Sequence, residues 1–252
     1  MDDDHRATAV GALADREYPA AGDAYARAGW DRLAEPREGR SPVDADENGW
    51  AGTPLEQLLL SGLCYRVAGL EDRAAHRGHE GIAVARDLEH ALDRPEQHAC
   101  LQEFAADFRV VGGLDGVDSA YEAVESAYRS AGDAVTDPRT VATTPLFQAA
   151  ASPLKQVARG LSNGEIAVSW EDLHGSDPDD AGAFLARRAG FKRQRFPGLL
   201  ERAVDAGTLA APRGTTAYDN ARFRCPNCSA TDVNWIRDHV LCLRCSTPMV
   251  DQ

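Results

Sequence analysis

No stretch of 18 consecutive apolar residues occurs in the 252-residue sequence, so no segment reads as a membrane-spanning helix. Also missing is a basic region followed by an apolar one at the start. The chain opens Met1-Asp2-Asp3-Asp4-His5, so no signal peptide is expected, and a cytoplasmic location with reduced cysteines follows. Short catalytic motifs are absent as well. There is no His-Glu-x2-His pair, no Gly-x4-Gly-Lys-Ser/Thr loop, no Gly-x-Ser-x-Gly and no Gly-x-Gly-x2-Gly after a strand. Without the metal-bound water, phosphate cradle or nucleophile that these supply, a non-catalytic protein is the expectation. An apolar fraction of 43% still suffices for one large core or two to three small ones.

Lysine is nearly absent. Of 27 basic residues only Lys155 and Lys192 are lysine, against 40 acidic residues and a formal net charge of −13. This make-up resembles that of salt-adapted archaeal cytoplasmic proteins, a resemblance that implies an environment and no function. The charge is also uneven: residues 1–180 carry 16 basic against 34 acidic side chains, residues 181–252 carry 11 against 6. A basic island in so acidic a chain asks for an anionic partner or an internal acidic one.

The N-terminal part predicts three antiparallel helix pairs, with the apolar stripes of 3.6-residue periodicity. Residues 6–34 hold the first pair, its second helix running from about Tyr18 to Leu33. Leu55, Leu59, Leu63 and Val67 mark the next helix, which ends at Ala68-Gly69-Leu70 before a partner from Ala74 to Leu92. Leu101, Phe104, Phe108 and Val111 mark a fifth, ending at Gly112-Gly113-Leu114, and Val117, Tyr121, Val124 and Tyr128 a sixth. The stretch from Arg16 to Ala28 resembles the turn and second helix of a tetratricopeptide or SNAP-type repeat, which implies a surface for a protein partner. The equivalent turns, at Tyr18, Leu70 and Leu114, depart from the regular repeat length. A Pro- and Gly-rich loop from Glu35 to Pro54, with Trp50 near its end, separates the first two pairs; an ordinary bundle without a groove is the alternative. Cys64 and Cys100 read as small buried hydrophobes.

Beyond residue 133 a polar linker leads to a helix over 145–161, a short strand over 166–170, a helix from about Asp180 to Ala189 and another opened by Pro197 and closed by Gly207. A hairpin over 208–224 follows. This order of elements resembles a winged helix, covering about residues 145–224.

Cys225-Pro226-Asn227-Cys228 and Cys242-Leu243-Arg244-Cys245 then resemble the two knuckles of a zinc ribbon. The resemblance implies one structural Zn2+ held by Cys225, Cys228, Cys242 and Cys245, with no open coordination position for catalysis. A rubredoxin-like iron site needs similar geometry. Ser229 and Ser246 stand where both families usually place glycine. His239 is a candidate donor near the site, while His76 and His79, three apart on one helix, lack a third ligand.

The fold class expected is therefore mostly α: an acidic helical-repeat domain (1–132), a small α+β winged-helix-like basic domain (133–224) and a β zinc ribbon (225–252). The basic cluster comprises Arg187, Arg188, Lys192, Arg193, Arg195, Arg202, Arg213, Arg222 and Arg224. Two readings stand side by side. In one, these residues hold duplex DNA while the helical repeats hold a protein partner, as in a transcription-associated regulator or adaptor. In the other, the chain is a pure protein-interaction scaffold whose arginines dock onto the acidic domain. The second reading expects Arg187, Arg188, Arg193 and Arg195 to be covered by carboxylates.

Overall fold

A computed structural model describes residues 2–35, 48–161 and 167–252. Six helices follow one another in three pairs: α1 (Asp2–Ala14) with α2 (Tyr18–Ala34), α3 (Gly49–Val67) with α4 (Glu71–Glu89), and α5 (Pro95–Gly112) with α6 (Val117–Ala131). The short connections make the members of each pair antiparallel. Each pair turns on a residue in the left-handed region, Arg16 (φ 63°), Gly69 (φ 71°) or Gly113 (φ 63°). Each also closes with the same bond, from the next N–H back to a carbonyl of the helix: Glu17 to Ala12 (2.8 Å), Leu70 to Tyr65 (2.9 Å) and Leu114 to Arg109 (2.9 Å). This is a Schellman end. What repeats along the chain is thus a turn chemistry, and Arg16 keeps it without glycine at a conformational cost of about 1–2 kcal/mol.

Most of the expected loop over 36–47 lies outside the described residues. Its final part is not a loop: helix α3 starts at Gly49 and includes Trp50 and Pro54. The reason is packing on both sides. Gly52 fits against the start of a later helix, α8 (Pro145–Leu161), at Leu146, and Gly29 of α2 against Leu58 and the Pro54 carbonyl, so Ala51, Gly52 and Leu55 are buried between two neighbours. Helices α4 and α5 approach as closely. A Cβ on Gly78 would lie 2.9 Å from both Gly112 Cα and the Phe108 carbonyl oxygen.

The linker after residue 132 is ordered by local capping. A 3-10 turn (Gly132–Ala134) precedes α7 (Pro138–Thr143), whose N-cap Asp137 accepts from the Arg139 and Thr140 N–H groups at 3.0 and 3.2 Å. Helix α8 (Pro145–Leu161) lies across α3 and α5. Residues 167–169 form no strand. Ser169 and Asp172 instead make a capping box that starts a four-residue helix, α9 (Trp170–Leu173).

The two helices expected over 180–206 are one helix, α10 (Ala181–Asp205), 25 residues long with Pro197 inside it. An interior proline costs roughly 3 kcal/mol. Phe196 and Leu200 on either side are fully buried, worth about 1.5–3 kcal/mol each, so continuing the helix wins. Helix α10 packs on α6, α8, α5 and α3. Phe104, Tyr121, Tyr128, Phe147, Leu154, Phe184 and Phe196 consequently share one continuous core, which crosses the expected boundary at 132/133 without a break.

The chain ends in two small antiparallel sheets. Strands β1 (Thr215–Ala217), β3 (Val233–Ile236) and β4 (His239–Cys242) pair in the order β1-β3-β4, while β2 (Phe223–Arg224) pairs with β5 (Val250–Asp251). The expected hairpin over 208–224 does not form. Asn234 of β3 accepts from Gly214 N–H (2.8 Å) and donates to the Pro212 carbonyl (3.0 Å), which draws the turn and β1 onto the ribbon instead.

Candidate metal centre

The two Cys-x2-Cys pairs form matching knuckles. In each, the N–H of the residue after the second cysteine donates to the carbonyl of the first: Ser229 to Cys225 and Ser246 to Cys242, both 2.9 Å. In each, the first cysteine's own N–H reaches five residues on, Cys225 to Ala230 (2.9 Å) and Cys242 to Thr247 (2.8 Å). Ser229 (φ 62°) and Ser246 (φ 53°) adopt the left-handed conformation that explains why glycine is usual there.

The β2 end and the β3–β4 hairpin bring all four sulfurs within 4.8 Å of one another. The separations Cys225–Cys245 and Cys228–Cys242 are 3.5 Å, and Cys228–Cys245 is 3.7 Å. A tetrahedron of thiolates around zinc, with Zn–S of about 2.3 Å, has edges of roughly 3.8 Å. The four donors therefore fit a single metal ion. Around them the Cys228 N–H points at Cys225 Sγ (3.4 Å) and Thr247 Oγ1 lies 3.4 Å from Cys245 Sγ. His239 is directed elsewhere, with Nδ1 3.5 Å from Oδ1 of Asp15 in the turn after α1.

That contact is part of a docking surface. Strands β3 and β4 pack on α1, Ile236 and Leu241 join the common core, and Arg16 donates to Thr247 Oγ1 at 3.2 Å. The connecting residues Leu209, Ala210 and Ala211 are buried. Tyr18 Oη accepts from Leu209 N–H (3.1 Å), Gln156 donates to the Ala210 carbonyl (2.8 Å) and Arg159 to that of Ala211. The ribbon is thus fixed to the helices from both sides of its connection.

The basic cluster divides. Arg188 and Lys192, expected among nucleic-acid contacts, are buried in the core at 2% and 0% exposure. Arg188 grips Glu103 of α5 with Nε and Nη2, both 2.8 Å, and donates to the Phe147 carbonyl (2.9 Å) and Tyr128 Oη (3.1 Å). Lys192 meets Glu103 (2.7 Å), Asp107 and the Ala150 carbonyl (2.7 Å), which uses its three N–H donors. Tyr121 and Tyr128 donate to Asp107 and Glu103, each at 2.6 Å. Two carboxylates and two cations balance, and the partners are nearly complete. Burial pushes both carboxyls upward. For Glu103 the charges of Arg188 and Lys192 more than cancel it and hold the group at about 2. For Asp107 burial and the neighbouring Glu103 charge outweigh Lys192, and the group is raised to about 6.

Arg193 pairs with Glu122 (2.8 Å) and Glu125 (3.5 Å) of α6. Arg187, Arg195 and Arg202 are exposed on the outer face of α10. Arg213 is exposed beside the ribbon, where Arg222 pairs with Asp251 (2.9 Å) and Arg224 with Gln252 (3.2 Å). Of the four arginines that internal docking should cover, two are covered and two are not.

Cys64 and Cys100 are fully buried, and burial pushes both thiols up, Cys100 to about 12 against the opposing pull of Arg188. They are core residues, not reactive ones. His98 and His90 are engaged with backbone carbonyls of Leu92 (2.6 Å) and Arg86 (3.2 Å). Among the described residues, Cys225, Cys228, Cys242 and Cys245 are the group of metal-ligating side chains that converges. No protein family matches the chain, and no curated protein or solved structure is detectably similar to it.

The sequence did hold a signal for the buried network. Glu103 and Asp107 stand four apart inside an otherwise apolar stripe of α5, and Arg188 and Lys192 stand four apart in α10. Matched i, i+4 pairs of opposite charge can face one another across two packed helices.

Proposed function

We propose that the chain is a non-catalytic, zinc-stabilised helical scaffold for protein partners, in which the ribbon and the inner cations hold the chain together. The observation that carries this reading is the placement of Arg188 and Lys192 on Glu103 and Asp107, which turns the heart of the basic island inward. Four cysteines with no fifth donor among the described residues suit a structural metal, and zinc is the ion that suits reduced sulfur ligands at this spacing. Because α8 and α10 cover the inner faces of α3 and α5, a partner is assigned to the outward surface of α2 and α4, where Trp30 is 39% exposed. Metal analysis of the full chain should find one zinc per molecule, and Cys242→Ser should lose it together with the ribbon's protection against proteolysis, the helical part surviving. Iron in place of zinc, or full protection without metal, refutes the assignment.

A second reading is supported by the exposed arginines. At 100° per residue, Arg187, Arg195 and Arg202 fall within about 80° of one another on α10. They share that face with Glu201 and Asp205, which oppose an anionic partner. Duplex DNA binding by the full chain at matched salt, lost in the triple Arg→Gln variant at these positions, would move the assignment to a nucleic-acid adaptor. The scaffold reading expects no such binding.

A further inference from the structure

A cavity of about 430 Å³ opens between α3, α8 and the buried connection into the ribbon. Its wall on α8 is a polar stripe read at helical spacing, Gln148, Ser152, Lys155 and Arg159, in a helix whose opposite face is Leu, Val and Ala. Thr53 and Glu56 of α3 face it, and Arg213 stands at its rim. Such a size is that of small-molecule sites.

The charges in this cavity differ from those elsewhere in the molecule. Other sheltered cations have a carboxylate: Arg188 and Lys192 have Glu103, Arg77 has Glu80 and Arg193 has Glu125. Among the described residues, Lys155 makes no hydrogen bond or ion pair, and Arg159 meets a carbonyl only, that of Ala211. Burial pulls both below their ordinary ranges, Arg159 to about 10, and further cations, Arg188 for Lys155 and Arg213 for Arg159, push the same way. Glu56 does not relieve them. Its carboxyl is raised by burial and is hydrogen-bonded by Ser152. In a chain with 40 acidic residues, a half-buried cation left without one is a departure that needs a reason, since an unpaired sheltered charge is costly.

We propose that this cavity is a binding site for a small phosphorylated molecule, its phosphate held by Lys155, Arg159 and Arg213 and the rest of the ligand lying along Pro145, Ala149 and Pro212. Arginine's planar fork and lysine's point charge together suit a phosphate's oxygens. The volume exceeds what one phosphate fills, which leaves room for an organic body. Bound there, the ligand would touch the segment that fixes the ribbon to the helices, so occupancy would tighten the joint between them.

Titration of the full-length, metal-loaded protein with inorganic pyrophosphate, followed by 31P NMR and thermal unfolding at constant ionic strength, tests the site. The expected result is saturable binding with a raised melting temperature. Lys155→Met should weaken that binding by about tenfold or more, the loss of one charge-assisted bond. In the absence of pyrophosphate the same variant should melt no lower than the parent, because it removes a desolvated charge and keeps the length of the side chain. Arg213→Gln, at an exposed position, should weaken binding as well. Absence of saturation at millimolar pyrophosphate, or equal affinity in parent and Lys155→Met, overturns the proposal. So does a ligand-free Lys155→Met protein of clearly lower melting temperature, which would make Lys155 a structural residue.

Discussion

Replacing Arg188 by methionine tests the central claim that the basic island is turned inward. The substitution keeps the aliphatic stem and removes five donor contacts: two to Glu103 and one each to the Phe147 carbonyl, Cys100 Sγ and Tyr128. Glu103, with no exposed surface, is left sharing Lys192 with Asp107, so the pocket acquires an uncompensated negative charge. Breaking a buried pair in this way costs about 3–5 kcal/mol, a large part of the roughly 5–15 kcal/mol that stabilises a typical domain. Adding Glu103→Met removes the orphaned charge and leaves Lys192 with Asp107 and the Ala150 carbonyl, a neutral pair. The double variant should therefore be more stable than Arg188→Met alone, with a coupling of about 1–3 kcal/mol. Urea unfolding followed by circular dichroism measures both. Because the groups are buried, the loss should be nearly the same at low and high salt, whereas a surface pair would fade. A cost for Arg188→Met below about 1 kcal/mol, the range of surface ion pairs, or additivity in the double variant, would refute the reasoning.

The pH dependence follows from the same cluster. Asp107 titrates at about 6 in the folded chain against an ordinary 3.8, so the folded state binds the extra proton and stability falls as pH rises from about 4 to 6. Glu103, held at about 2 against an ordinary 4.5, works oppositely: its contribution is complete above 4.5 and is lost as pH falls toward 2. From this cluster, unfolding free energy should peak between these limbs, and Asp107→Asn should flatten the difference between pH 5 and 7.5, as measured by urea titration at each pH. Gly78→Ala should destabilise by about 1–3 kcal/mol through overpacking, because the new methyl meets the backbone of α5 and not a flexible side chain. Thermal denaturation would read it, and a neutral outcome would show that α4 and α5 can separate.

What the sequence disclosed divides by the range of the interaction involved. The four-cysteine cluster was readable because each knuckle is set by residues three apart. The helix pairs were readable because Gly69 and Gly113 end helices locally, whatever lies across the core. Pro197 misled because its local signal, a good first-turn residue, was overridden by the burial of Phe196 and Leu200. Arg188 and Lys192 misled for a similar reason. Their partners Glu103 and Asp107 lie 85 residues away, and composition alone reads a charged side chain as a surface one. The hairpin expected before Cys225 is absent because β1 pairs with β3, where the Asn234 amide also binds Gly214 and Pro212. The sheet that carries the second knuckle therefore includes Thr215–Ala217.

The joint between the ribbon and α1 sets an order of assembly. Arg16 and Thr247 are separated by 231 positions, and Tyr18 and Leu209 by 191. Contacts so distant along the chain form late, after the local helix pairs have closed. During synthesis α1 and α2 emerge early and must wait, with the face that will receive β3 and β4 uncovered, until the last knuckle is made. If the four cysteines hold zinc as proposed, arrival of the metal would secure α1 as well as the ribbon, and in metal-free molecules α1 would be a weak point.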